Sequence, residues 1–422
     1  MDTAAPWTGH PHGSRGYRRA TLALSAAGVA TFAQLYSVQA VLPALADEWG
    51  GTASHAALSV SVATGALAVS VVGWSALADR AGRVPAMALS LLVATAVGLA
   101  VPLAGGLGQL LVLRALQGAA LGGLPAVAMA YLAEELRGRD VAPAAAAYVA
   151  GTSLGGLSGR LVSSAVADLA GWRWGVAAVA LLAAAATAVF AALVPRARGF
   201  ARRRRADGGP RLAHRVRAAL AAPGLLALYA QALLLMGGFV TVYNYLAFRL
   251  LDAPYSLSQT LVGSLFVVYL AGTWSSAAAG RWAARAGRLR VLTVAVALFA
   301  AGTALTAAAP LPLVVAGLVV LTAGFFAAHA VASGWVGALA PPGVRAQASA
   351  LYTFGYYAGS GLLGWLGGYA FAAGGWPAVV AAVVACAVLA LVLALLALRG
   401  AGTAPGARDA RRTRRARASM GA

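Results

Sequence analysis

The chain has 422 residues, of which 61% are hydrophobic and only 10% are charged. A soluble domain carries about 25% charged residues, so this composition excludes a water-exposed surface over most of the chain. The formal charge of +21 comes wholly from arginine, since lysine is absent; that excludes a lysine-bearing phosphate loop and leaves a gradient as the energy source of any coupled process.

A membrane span needs about 20 mostly apolar residues, and twelve stretches satisfy this. The first, 20–45, follows Arg15, Arg18 and Arg19 and ends near Ala44-Leu45-Ala46. Those flanks mimic a signal peptide, but the stretch exceeds the ~7–15 residue core of one, so it is expected to persist as a helix. It carries Gln34, Tyr36 and Gln39. The second span is 57–78. The loop after it reads Gly73-Trp-Ser-Ala-Leu-Ala-Asp79-Arg80-Ala-Gly82-Arg83-Val-Pro85. Small residues here predict close helix approach. Asp79 is expected to pair with arginine and cap the next helix, a charged clasp that can switch between conformations.

The third span is 86–105 and the fourth 109–133. Arg114 stands in the fourth, with Gln117 one turn on along the same face and Gly118 beside it. Its place near the span's end makes snorkelling to headgroups an alternative to function. The fifth span, 142–168, has Gly151, Gly155, Gly156 and Gly159, a four-residue ladder for close packing. Arg160 follows, a second intramembrane charge that needs an anionic partner, which substrate could supply. The sixth is 174–195.

A basic linker over 196–222 holds Arg202-Arg203-Arg204-Arg205 and suits anionic lipid or a plain solvated loop. The remaining spans are 223–248, with Tyr243 and Asn244; 258–282, with Tyr269; 290–309; 313–339, with His329; 346–371, with Tyr352 and Tyr356; and 376–398. The tail 399–422 is again basic. Placing both termini in the cytoplasm puts 28 of the 32 arginines in cytoplasmic segments, as the positive-inside rule requires.

Tyr148, Gly151, Gly155, Gly171 and Trp172 reappear as Tyr352, Gly355, Gly359, Gly375 and Trp376, each offset by 204. Arg80-Ala81-Gly82-Arg83 reappears as Arg285-Ala286-Gly287-Arg288, offset by 205. Half the chain therefore repeats the other half. The expected fold is all-α and integral to the membrane: twelve transmembrane helices in two pseudo-symmetric six-helix bundles. Residues 1–195 form the first bundle with its N-tail, and 223–398 form the second.

The loop motif at Gly73, Asp79, Arg80, Gly82 and Arg83, with twelve spans and an echo in the second half, resembles the major facilitator superfamily. The second copy has Ala284 in place of Asp79. The resemblance is nearest to the bacterial drug and metabolite efflux branch, whose members are proton antiporters. It implies that Arg114 takes part in proton coupling, with spans one, four, seven and ten lining a central cavity. Gln34, Tyr36, Gln39, Tyr243, Asn244, Tyr269, His329, Tyr352 and Tyr356 are then the cavity candidates. The fifth span lacks the branch's usual proline and the first lacks an acid, which keeps uptake or facilitated movement of an organic acid or sugar-like solute open. Asp47, Glu48, Asp79 and His329 are the choices for a proton carrier.

The expectation is a secondary active transporter in the inner membrane of a bacterium, working by alternating access. It would be a monomer with a small-molecule substrate and the proton as coupling ion, in contact with lipid and not with nucleic acid. No enzyme is expected, because nothing converges as nucleophile, base or metal site: Cys386 is the sole cysteine and His10, His12 and His214 lie outside the spans. No cofactor or metal is expected.

Overall fold

A computed structural model describes residues 7–200, 212–341 and 343–399. The four-arginine run of the linker and the basic tail after 399 lie outside the described residues. The helices are α1 Arg15–Leu35, α2 Leu42–Glu48, α3 Ala53–Ala81, α4 Arg83–Ala100, α5 Leu107–Leu121, α6 Gly123–Glu135, α7 Val141–Ala170 and α8 Trp172–Leu193. They continue as α9 Leu212–Leu220, α10 Pro223–Leu251, α11 Gln259–Ser264, α12 Tyr269–Ala286, α13 Arg288–Leu305, α14 Leu311–Leu339 and α15 Arg345–Leu398. No strand occurs among the described residues; a single β-bridge joins His10 to Leu136.

Ten of these segments are long and apolar enough to cross a membrane. Two more follow from local chemistry. At 30 residues α7 is long enough, but its glycines, serines and Arg160 lower its mean hydropathy. The 54-residue α15 is two helices joined at Gly374 and Gly375, where Gly375 sits at φ 60°. The described residues thus hold twelve membrane-length helices. Large apolar side chains such as Leu103, Leu169 and Val69 point outward, 78%, 89% and 72% exposed, as lipid-facing residues do.

The repeat read from sequence has a backbone counterpart. Gly171 and Gly375 both take positive φ, at 88° and 60°, and so do Gly82 and Gly287, at 100° and 87°. Each is a tight reversal between consecutive helices that L-residues resist.

Contacts divide the chain into two compact units. The first comprises the described parts of Met1–Gly209 with Gly237–Tyr269 and Tyr357–Ala382; the second comprises those of Pro210–Met236, Leu270–Tyr356 and Val383–Ala422. In the first unit α1 lies along α7. A Cβ at Gly151, Gly155 or Gly159 would come within 2.8, 2.7 and 2.7 Å of the Cα of Ser25, Val29 and Ala33. Three glycines thus face three residues at the same four-residue spacing, backbone against backbone. Gly118 similarly admits the backbone of Ala63, bringing α5 against α3. In the second unit α13 and α14 meet through Gly302, Gly317 and Gly324.

The first span is not continuous. It stops at Leu35, turns through Tyr36–Val38, makes a 3-10 turn over Gln39–Val41 and resumes as α2. Ser37 bonds back to the Gln34 carbonyl, and Pro43 in the first turn of α2 cannot donate to a preceding carbonyl. The eighth span is likewise interrupted by a 3-10 turn over Leu265–Val268, and the fourth bends at Gly122, between α5 and α6.

Candidate functional site

The break in the first span organises two arginines. A helix C-terminus leaves its last carbonyls without partners and carries partial negative charge. Arg114 answers this at α1. Its Nη2 donates to the Leu35 carbonyl at 2.5 Å, Nη1 to the Gln34 carbonyl at 2.9 Å and to Gln117 Oε1 at 2.5 Å, and Nε to the Ser59 carbonyl at 3.1 Å. Gln117 Nε2 reaches Gln34 Oε1 at 3.0 Å. Gly98 leaves room for that pair, since a Cβ there would strike both amides. Arg114 is fully buried. Snorkelling is therefore excluded, and the guanidinium is a C-cap that binds α1, α3 and α5 together. Gln34 belongs to this network inside the helical packing.

Arg160 is also buried, at 4% exposed, but its surroundings differ. Nε donates to Gln39 Oε1 and Nη1 to the Gly156 carbonyl, both at 2.7 Å. Three rings surround its central carbon, those of Tyr36, Phe266 and Tyr269, with centroids at 4.3, 4.8 and 4.9 Å. Among the described residues no carboxylate lies within ion-pair distance of it, and Nη2 makes no hydrogen bond. Gln39 in turn donates to Asn244 Oδ1 at 2.7 Å, and Asn244 donates to the Gly364 carbonyl at 3.3 Å. Tyr243 stacks on Phe266 and Tyr269, each at 5.1 Å between centroids. Tyr36, Gln39, Tyr243, Asn244 and Tyr269 are thus brought together around Arg160.

Further polar ties within this unit join the first and fifth spans to the seventh and eighth near one end. Gln259 donates to the Ala40 carbonyl. The Thr260 hydroxyl donates to Asp168 at 2.7 Å. Ser164 packs against Gly263 so closely that a Cβ could not fit there.

At the other end of the first-unit spans the loop motif forms a three-residue clasp. Arg83 bonds Asp79 at 2.6 Å and takes Glu134 with both Nε and Nη2, at 3.1 and 2.8 Å; Phe200 lies 5.2 Å beneath the guanidinium. Asp79 does not cap α4, whose N-cap Gly82 has no side-chain cap at all; pairing with Arg83 occupies the carboxylate instead. Arg80 is exposed. Gly73 faces open space rather than a neighbouring helix, so the close approach belongs to the glycines of α7. Sequence reasoning missed Glu134 and Glu135. Buried Glu135 accepts the backbone N–H groups of Arg198 and Gly199, each at 2.7 Å, and its carbonyl accepts from His10 N. Only their position in the turn before Arg137 and Arg139 hinted at a role.

The other cavity candidates form a separate cluster in the second unit. The Tyr352 hydroxyl meets His329 Nδ1 at 3.0 Å, and Tyr356 lies 4.8 Å from the imidazole between centroids. Gln231 and Phe325 complete a narrow recess around them. Among the described residues no group of histidine, cysteine and acidic side chains could hold a metal ion.

Among the described residues, twelve membrane-length helices with glycine-lined seams and buried polar clusters define a polytopic membrane protein. The chain belongs to the Major Facilitator Superfamily, whose profile matches residues 24–253 and 235–420. It is 40% identical over 368 residues to the inner membrane transport protein YnfM of Escherichia coli (strain K12), covering 87% of each chain. It is 36% identical to the uncharacterized MFS-type transporter YybF of Bacillus subtilis (strain 168), over 86% of this chain and 89% of that one. Its fold matches a bacterial homolog of the human lysosomal transporter Spinster, inward-facing and occupied, at TM-score 0.74 and 17% identity, over 93% and 100% of the two chains.

Proposed function

We propose that the chain is a secondary active transporter that moves a small organic molecule by alternating access, with export coupled to protons. The observation that carries it is the tie from Gln39 to Asn244, backed by Gln259 on Ala40 and Asp168 on Thr260. A handful of polar bonds holds the first and fifth spans to the seventh and eighth. Such bonds can break and reform at low cost, because water replaces them when that end opens. Broken helices at the same level, in the first and eighth spans, are a recurrent device of transporter sites.

The export direction and the proton rest on resemblance to the antiporter branch. His329 is the group proposed to carry the proton, being an imidazole held against the Tyr352 hydroxyl in a narrow recess within a span. The arginine distribution supports both termini in the cytoplasm and residence in a bacterial inner membrane. A second reading, movement of an organic acid, is favoured by the absence of a carboxylate beside Arg160.

The test uses purified protein in liposomes holding a pH-sensitive dye, with a pH gradient imposed. Cationic dyes, neutral antibiotics and organic acids are added in turn, with His329→Gln as the coupling control. Substrate-triggered proton release that vanishes in the control supports the reading. Substrate movement without proton flux overturns coupling and leaves a facilitator.

A further inference from the structure

Arg160 has five N–H groups; two are bonded, to Gln39 and to Gly156. Three aromatic faces offset part of its desolvation. What is missing is the anion that a buried cation ordinarily has. The bonded acceptor on Nε is a neutral amide oxygen, and that same amide holds Asn244 through its nitrogen. Close by, the buried Ser360 hydroxyl faces the Tyr36 side chain. The site is therefore polar on one side, aromatic on the other, and short of one negative charge.

We propose that Arg160 recognises the carboxylate of a flat aromatic monoanion, and that this carboxylate takes the guanidinium from Gln39 and so releases Gln39 from Asn244. The proposal rests on the transport reading above and names its substrate class. A carboxylate is a stronger acceptor for a guanidinium than an amide oxygen, because it carries a full charge and can take two N–H groups of the planar fork at once. The aromatic body would lie among Tyr36, Phe266, Tyr269 and Tyr243; the last three already stack on one another at 5.1 to 5.8 Å between centroids. In this conformation Gln39 and those rings fill the space the anion would take. Binding therefore requires the displacement that unties the first span from α10. A cation would meet Arg160 as a like charge, and a neutral isostere could displace Gln39 only by exchanging one amide for another.

Benzoate, benzamide and benzamidine share one shape and carry charges of −1, 0 and +1. Their binding to the purified full chain in detergent, by titration calorimetry, tests the assignment without relying on transport. Benzoate is expected to bind saturably and at least 10-fold more tightly than the other two. Arg160→Gln should lose at least 10-fold of that affinity. Gln39→Glu should lose as much, since it supplies Arg160 with a permanent carboxylate. Benzoate should also speed amide exchange in the turn 36–42. No saturable benzoate binding, equal binding of benzamidine, or unchanged binding in Gln39→Glu overturns the anion site. Binding with slowed exchange at 36–42 overturns the release of Asn244. Benzoate binding without proton flux leaves this inference standing and removes the coupling; proton-coupled movement of another compound without benzoate binding does the reverse.

Discussion

Substituting Gly155 by alanine adds one carbon where α7 presses on α1. That carbon would lie 2.6 Å from the Val29 oxygen and 2.7 Å from its Cα. Ordinary contact begins near 3.4 Å, so the two backbones must part by 3.4 − 2.7 = 0.7 Å. Neither atom belongs to a side chain that could swing aside. Overpacking of this kind costs about 1–3 kcal/mol, offset by about 0.8–1 kcal/mol of alanine's better helix propensity. The net loss is about 1 kcal/mol, within a range of about 0–2 kcal/mol. Gly73→Ala is the matched control: it lies in α3 and its Cβ would meet nothing within 4 Å, so only the propensity gain remains. Thermal unfolding in detergent, followed by size-exclusion fluorescence, should rank Gly73→Ala above wild type and Gly155→Ala below it. The displacement would also lengthen the Arg160 to Gln39 bond from 2.7 Å to as much as about 3.4 Å, beyond a good hydrogen bond, so transport should fall with stability. A Gly155→Ala midpoint at or above that of Gly73→Ala would refute the view that the ladder sets the seam.

Arg114→Lys keeps the charge but replaces a planar fork with a point ammonium, which cannot reach the carbonyls of Gln34, Leu35 and Ser59 and Gln117 together. It should lose at least one charge-assisted bond, about 1.5–3 kcal/mol, seen as a lowered unfolding midpoint. Glu134→Gln weakens the fork to Arg83; with both side chains partly exposed the effect on stability should be at most about 1 kcal/mol and shrink with salt, while transport rates fall more than stability does. The segment 7–14 before α1, bridged through His10 to Glu135 and Leu136 and here called the N-terminal strap, should respond to pH. Burial holds the His10 imidazole below its ordinary value of 6.5, with Arg198 adding to the shift and Glu135 opposing it. The unfolded strap then binds protons more readily than the docked one, so its docking is complete above pH 6.5 and weakens as pH falls from there towards the lowered value. Trp7, which packs on His10 at 4.9 Å, reports this by fluorescence, and His10→Gln should flatten the profile.

Hydropathy placed most of the membrane-length helices, because span length and lipid exposure are properties of a linear stretch; α7, with its glycines, serines and Arg160, is the one it marks least clearly. The reversals at Gly82, Gly171, Gly287 and Gly375 were legible as repeats for a similar reason: a positive φ restricts the residue type at one position. The break at 36–41 was not legible. Its carbonyls are held by Arg114, which is 79 residues from Leu35 along the chain, and no local signal announces a tertiary cap. Glu134 escaped notice likewise, lying 51 residues from the arginine it serves. The sequence also grouped Gln34 with Tyr36 and Gln39, two to five residues apart; the break turns Gln34 towards Arg114 and the other two towards Arg160.

Sequence treats the two intramembrane arginines alike, each as an expensive charge that must be there for a reason. Their acceptors separate them. Arg114 spends its donors on three backbone carbonyls and one amide, groups that cannot leave without unfolding a helix end. Arg160 has one backbone carbonyl and one side-chain amide, and the amide belongs to the interrupted segment between α1 and α2. A charge satisfied by immovable partners acts as a fastener. One held by a movable neutral partner is open to exchange for a better acceptor. The same break in the first span produces both: its carbonyls fix Arg114, and the residues beyond it, Tyr36 and Gln39, form part of the cage around Arg160.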